Sequence, residues 1–270
     1  MTDCYEAGEG PPLVLLHGLG GSWHVWQPVL PMLERRHRVF APTLPGHPGG
    51  ASWPSGREVN LASIVDLLAE DLARRKIDRP HLAGNSLGGL LALQLARRGM
   101  AASVTAFSPA GAWRSERDYQ AVARPFRIVH ALMPLLIAIV CPLLRFAGVR
   151  RALNAQAMEH GDRVPAGEVL RAMQSMGGTK ILPQLLTSMQ RDGPIKPLTA
   201  PGIPVTIAWC EHDRVIPFDG YGAPMLEAVP GAQAEIVKGA GHVPMYDEPR
   251  QVADMILATT SKAGGQRASN

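Results

Sequence analysis

Ser86 stands between two glycines in Gly84-Asn85-Ser86-Leu87-Gly88, directly after the apolar run Pro80-His81-Leu82-Ala83. A strand that turns sharply into a helix holds a serine hydroxyl clear of the backbone, and the turn is so tight that its neighbours must lack a Cβ. The helix start also leaves backbone N–H groups free, here that of Leu87, to stabilise a developing oxyanion. A serine hydroxyl is a weak nucleophile until a positioned base takes its proton, and an acid must fix the tautomer of that base. Two later segments supply both partners. Asp213 lies in Cys210-Glu211-His212-Asp213-Arg214-Val215-Ile216-Pro217, and His242 in Gly239-Ala240-Gly241-His242-Val243-Pro244. Together these residues could carry out acyl transfer, with Ser86 attacking a carbonyl carbon.

Each residue has a competing reading. Asp213 and His242 could serve as caps of turns or helices. Glu211 is a competing acid two positions before Asp213, nearer the end of the preceding apolar run. His212 beside these carboxylates raises the possibility of a metal site, but no second histidine lies at ligand spacing, so no metal is expected. The order Ser, Asp, His favours the triad over the separate readings.

Groups 127 positions apart, as Ser86 and Asp213 are (213 − 86), converge only if the fold brings them together. Short β-type runs at 13–16, 38–41, 81–84, 103–107, 205–210 and 234–237 alternate with helical patterns at 26–35, 60–76, 87–98, 218–228 and 250–261. Strands separated by helices predict an α/β fold, with a mostly parallel sheet covered by helices on both faces. The three candidates all fall just after such strands, where open α/β sheets place their sites. The alternation fails over 109–200, which is helical in pattern and punctuated by prolines. The expected organisation is a core of 1–108 and 201–262, a helical cap at 109–200, and a disordered tail at 263–270.

With these residues identified, the chain resembles the α/β-hydrolase superfamily over its whole length, in the lid-containing, serine-nucleophile branch. The Ser, Asp, His order matches, as does His17-Gly18-Leu19-Gly20-Gly21 after the run 13–16. The resemblance implies catalytic Ser86, Asp213 and His242, with oxyanion N–H groups on Leu19 and Leu87. His17, Gly18, Gly84 and Gly88 would support the loops, and no cofactor is needed. Leu44-Pro45-Gly46-His47 matches the family's loop after the next strand, with Thr43 where an acidic residue is usual. One or two of the family's leading antiparallel strands are expected to be truncated or missing. The insertion is rich in Leu, Ile, Met, Val and Ala, and an apolar lid above a serine nucleophile points to a small to medium hydrophobic carboxylic ester, thioester or lactone and against peptides and sugars. The elbow is also similar to that of C–C bond hydrolases of dienoic ring-fission products, although these generally carry a tryptophan where Val243 stands. Cofactor-free perhydrolases share the triad, and a ligand-binding receptor on this scaffold is the non-enzyme alternative. Epoxide hydrolases and dehalogenases of this fold use an aspartate nucleophile, against which Ser86 argues.

The composition sets outer limits. With 270 residues, 46% hydrophobic and 19% charged, the chain can bury a large core. Its net charge of +4 is spread in arginine pairs such as Arg74-Arg75 and Arg150-Arg151, without the basic stripe that nucleic acid requires. Cys4, Cys141 and Cys210 form no disulfide or metal framework, and MTDCYEAGEG has no leader pattern, so a cytoplasmic protein is expected. The apolar run 131–144 is shorter than a span and interrupted by Pro134 and Pro142. It reads as a buried or ligand-facing helix with no stable membrane span. Methionines 133, 158, 173, 176 and 189 in the insertion could adapt to an irregular apolar ligand, although packing of cap on core is the favoured reading. The chain is expected to be a monomer or homodimer.

Overall fold

The computed structural model describes residues 3–198 and 202–268. Seven strands form one sheet: β1 (Cys4–Ala7), β2 (Pro12–Leu16), β3 (Arg38–Pro42), β4 (His81–Asn85), β5 (Ser103–Phe107), β6 (Val205–Cys210) and β7 (Gln233–Val237). Their spatial order is β1-β3-β2-β4-β5-β6-β7. β1 runs antiparallel to β3, and every other neighbouring pair is parallel. One leading antiparallel strand is therefore present. The helices are α1 (Leu30–Leu33), α2 (Leu61–Arg74), α3 (Leu87–Arg97), α4 (Glu116–Val140), α5 (Ala147–Asn154), α6 (Ala166–Gly178), α7 (Leu182–Asp192), α8 (Ala223–Ala228), α9 (Pro244–Asp247) and α10 (Pro249–Ala268).

Successive side chains of a strand point to opposite faces, and the core divides accordingly. Val14, Leu16, Phe40, Leu82, Val104 and Ala106 pack with residues of α2, α3 and α7 on one face. Leu13, Leu15, Val39, Ala41, Ala83 and Phe107 pack with α1 and α10 on the other. Because both faces are covered, the central strands are apolar without alternation. The segment 26–35, expected as one helix, is instead a 3₁₀ turn (Trp23–Trp26) followed by the single turn α1. Pro28 and Pro31 remove the backbone donors that a continuous helix would need.

Helices α4 to α7 occupy the chain between β5 and β6, and among the described residues this stretch holds no strand. Its two ends are stitched together, since the Ile195 N–H donates to the Gly111 carbonyl at 2.7 Å. The far limit of the expected insertion, at 200–201, lies outside the described residues. So do residues 269–270 of the expected tail, whereas 263–268 continue α10 as far as Ala268.

The apolar run 131–144 departs from expectation in two ways. Pro134 lies within an unbroken helix that starts at a Ser115–Asp118 capping box. With the turn Cys141–Leu143, the helical stretch Glu116–Leu143 is long and apolar enough to cross a membrane. The run is also exposed rather than buried, with Leu135 and Ile139 both more than half accessible. Apolar composition alone cannot tell a core face from a face turned outward.

Candidate active site

The turn from β4 into α3 holds Ser86 at φ 54° and ψ −117°, a strained conformation for a residue with a side chain. The close approach explains its glycines. A Cβ on Gly84 would lie 2.2 Å from the Gly88 carbonyl oxygen, and one on Gly88 would lie 2.0 Å from the Leu16 carbonyl oxygen. The Ser86 N–H donates to the Phe107 carbonyl at 3.0 Å, fixing the elbow to β5. The Asn85 amide donates both to that carbonyl, at 3.2 Å, and to the His242 carbonyl, at 2.8 Å. One side chain thus ties the elbow to the distant histidine loop.

His242 and Asp213 meet in the interior. Nδ1 of His242 donates to Asp213 Oδ2 at 2.7 Å, and both side chains are at most 5% exposed. The other carboxylate oxygen accepts from the Val215 N–H at 2.9 Å and the Ile216 N–H at 2.8 Å. Burial pushes the Asp213 carboxyl up. The His242 charge, its hydrogen bond, the Ile216 amide and the Ser108 hydroxyl outweigh it and hold the group below the ordinary carboxylate range. With the carboxylate ionised, Nδ1 must carry a proton, which leaves Nε2 of a neutral ring as the acceptor. Nε2 is buried with no hydrogen-bond partner among the described residues, and Ser86 Oγ does not bond to it. Glu211, the competing acid, faces away and accepts from the Gly239 N–H at 2.8 Å. His212 is half exposed beside Glu211 and Glu159.

The loop after β2 is set by two histidines. His17 Nε2 accepts from the Leu44 N–H at 2.9 Å while its Nδ1 donates to the Gly18 carbonyl at 2.7 Å. His47 Nε2 accepts from the Gly20 N–H at 3.1 Å while its Nδ1 donates to the Pro45 carbonyl at 3.3 Å. Burial lowers His47 to about 4 and pushes His17 well below the ordinary histidine value, with the neighbouring His47 adding to the effect. Both rings are neutral clamps. They shape the segment that presents the Leu19 N–H, and Gly18 approaches Ser86 so closely that a Cβ there would lie 3.3 Å from the Ser86 Cβ.

Residues of the α4–α7 stretch contact these loops. The Ser175 hydroxyl donates to the Gly21 carbonyl at 2.7 Å, and Met176 lies against Gly20. On the histidine side, Val243 N–H donates to the Ala157 carbonyl at 2.9 Å. Buried Asp247 accepts from the Gly241, Glu159 and His160 N–H groups at 2.9, 2.9 and 2.7 Å. A cavity opens at Ser86 between the sheet, α4 and α7. Its walls include Leu19, Leu87, Val122, Phe126, Leu186 and Met189, and no lining residue is charged. Of the cap methionines, Met189 lines this cavity, while Met133 packs against Gly177 and Met158 against Gly241.

Three residues of the site were not anticipated. Ser108, fully buried at φ 38°, bonds Asp213 and accepts from the Cys210 N–H at 3.1 Å. Asn85 sat inside the motif, but its bridging role depends on a residue 157 positions away. Asp247 follows His242 by five positions, in Pro244-Met245-Tyr246-Asp247, with no pattern to mark it.

Residues 13–255 match the alpha/beta hydrolase family. The chain belongs to that family. Among its relatives is a pimeloyl-[acyl-carrier protein] methyl ester esterase of Aeromonas hydrophila, 30% identical over 92% of this chain and 95% of its own. Another is epoxide hydrolase EphH of Mycobacterium tuberculosis, 27% identical over 74% of this chain and 94% of its own. An alpha/beta hydrolase fold protein from Burkholderia ambifaria superposes with a TM-score of 0.68 at 28% identity, covering 94% of this chain and 93% of its own. The alpha/beta hydrolase fold and these hydrolase relatives make the chain a hydrolase acting on a small molecule.

Proposed function

We propose that this hydrolase cleaves a small to medium hydrophobic carboxylic ester, thioester or lactone through a covalent acyl-enzyme, with Ser86, His242 and Asp213 as its triad. The observation that carries this reading is the uncharged cavity lined by Ser86, together with a buried His242 imidazole whose Nε2 has no hydrogen-bond partner among the described residues. His242 Nε2 takes the Ser86 proton as Oγ attacks the carbonyl carbon, and Asp213 stabilises the resulting imidazolium. The oxyanion is held by the N–H groups of Leu19 and Leu87, each worth about 10²–10³ in rate. His242 then passes its proton to the alkoxide or thiolate that leaves with the electrons of the broken bond, an alkoxide that in a lactone stays tethered to the acyl chain. A water deprotonated by the same nitrogen attacks the acyl carbon and frees Ser86. An apolar acyl group fits walls that offer no partner to a charge. Ser86 in place of an aspartate favours esters over epoxides.

A panel of p-nitrophenyl esters of increasing chain length tests this. Turnover should rise from acetyl to medium chains and fall by about 10⁶ in Ser86→Ala. Turnover of dienoic ketones without esters would instead select the C–C hydrolase reading, and an inert wild type would select the receptor.

A further inference from the structure

We propose that the cap docks flat on an anionic phospholipid bilayer through the outward face of α4 and the turn that follows it. Ile128, Leu132, Leu135 and Ile139 are spaced four, three and four apart, which places them on one helix face. They are 55%, 48%, 59% and 57% exposed, and Leu143 and Phe146 extend the apolar surface past the helix end. Eight of the ten large hydrophobic side chains that stand exposed among the described residues fall within 128–153. Scattered apolar side chains are ordinary on a surface, but such a concentration marks an interaction face.

Charge identifies the occupant. No carboxylate lies between Asp118 and Glu159, while that interval carries Arg124, Arg127, Arg145, Arg150 and Arg151. Elsewhere the arginines are commonly paired with carboxylates, as in Arg98–Asp66 and Arg114–Glu227. Among the described residues Arg124, Arg127, Arg145 and Arg151 have no carboxylate partner, and Arg150 bonds only carbonyls, those of Leu144, Arg145 and Asp162. An apolar stripe flanked by unneutralised arginines suits the headgroup and acyl boundary of an anionic membrane. A second copy of this chain would bring the same arginines against each other. The opposite flank of α4 is committed to protein. Tyr119 and Ala123 are buried, Met133 packs on α6, and Val122 and Phe126 line the cavity at Ser86. The helix therefore lies on the bilayer rather than across it, with one flank on lipid and the other on the substrate cavity. Delivery of a membrane-derived ester along α4 rests on the esterase reading, whereas the docking does not.

The test uses the full chain carrying Ser86→Ala, so that binding is read without turnover. It is sedimented with vesicles of phosphatidylcholine alone or mixed with phosphatidylglycerol. Binding should appear on the anionic vesicles, weaken with added salt, and fall at least about tenfold in Leu135→Glu/Ile139→Glu and in Arg124→Glu/Arg145→Glu. In the background with Ser86 intact, both pairs should hydrolyse a short soluble ester as the wild type does, which shows that they fold. Absence of vesicle binding, equal binding to neutral vesicles, or binding unchanged in either pair overturns the proposal. A dimer in light scattering that the apolar pair dissociates also overturns it, by assigning the face to a second copy. Binding that persists in a chain inactive on every ester would refute the esterase reading alone.

Discussion

At the scale of single residues, the choice between two acids is decided by where each carboxylate points. Asp213 is positioned by two backbone amides and by the Ser108 hydroxyl before it meets His242, whereas Glu211 is occupied at the surface by Gly239. Replacing Asp213 by Asn exchanges an acceptor for a donor opposite Nδ1 and favours the wrong tautomer. Asp213→Asn should lose about 10⁴ in kcat, while Glu211→Gln stays within about threefold of wild type. Equal losses in ester kinetics would remove Asp213 from its role. Ser86, Asp213 and His242 could be singled out because each sits in a local pattern that strand ends impose, and the fold brings Asp213 and His242 into a hydrogen bond. Ser108 and Asn85 were not, since their partners are set by the register of β4 against β5 and by the return of the histidine loop.

Among the elements, the buried inner strands were read almost to the residue, because a strand buried on both sides need not alternate, whereas the edge strand β1 (Cys4–Ala7) was not read. Helices that depend on turn chemistry were less visible. The segment 26–35 has a helical pattern and loses its helix to two prolines, while α4 keeps its helix through Pro125 and Pro134. The outward face of α4 was misread for a different reason. Hydropathy reports a preference for leaving water and is silent on whether protein or lipid receives the side chain. The cap's grip on the core gives a prediction at this level. Asp247 gathers three amides, two from the cap and one from the histidine loop. An amide in its place turns an NH₂ toward at least one of those donors. Asp247→Asn should destabilise the fold by about 1–3 kcal/mol, lowering the thermal midpoint by about 2–4 °C per kcal/mol. It should also depress kcat in ester hydrolysis, and a variant equal to wild type in both respects would show the clamp to be idle.

For the molecule as a whole, two neutral histidines buried beneath one loop set an acid limit on stability. His47 titrates near 4 in the folded chain and near 6.5 when unfolded. Between these values the unfolded state binds the extra proton, so stability is fully present above about pH 6.5 and declines as pH falls toward 4. His47 alone accounts for roughly 3 kcal/mol of that decline, and His17 adds in the same direction. Urea unfolding from pH 7 to pH 4 should show the slope, and His47→Gln, which keeps an acceptor but cannot protonate in this range, should flatten it. A wild type with constant stability across the interval would mean that the rings are not held neutral.

The single bond between Ile195 and Gly111 has a wider meaning, because the chain leaves the sheet and returns to it at nearly the same place, between strands that are already neighbours. Whatever is threaded through that gap can change in length and shape without breaking the pairing of β5 with β6. The walls that α4 and α7 lend to the cavity can thus vary while the sheet that carries Ser86 keeps its strand pairing.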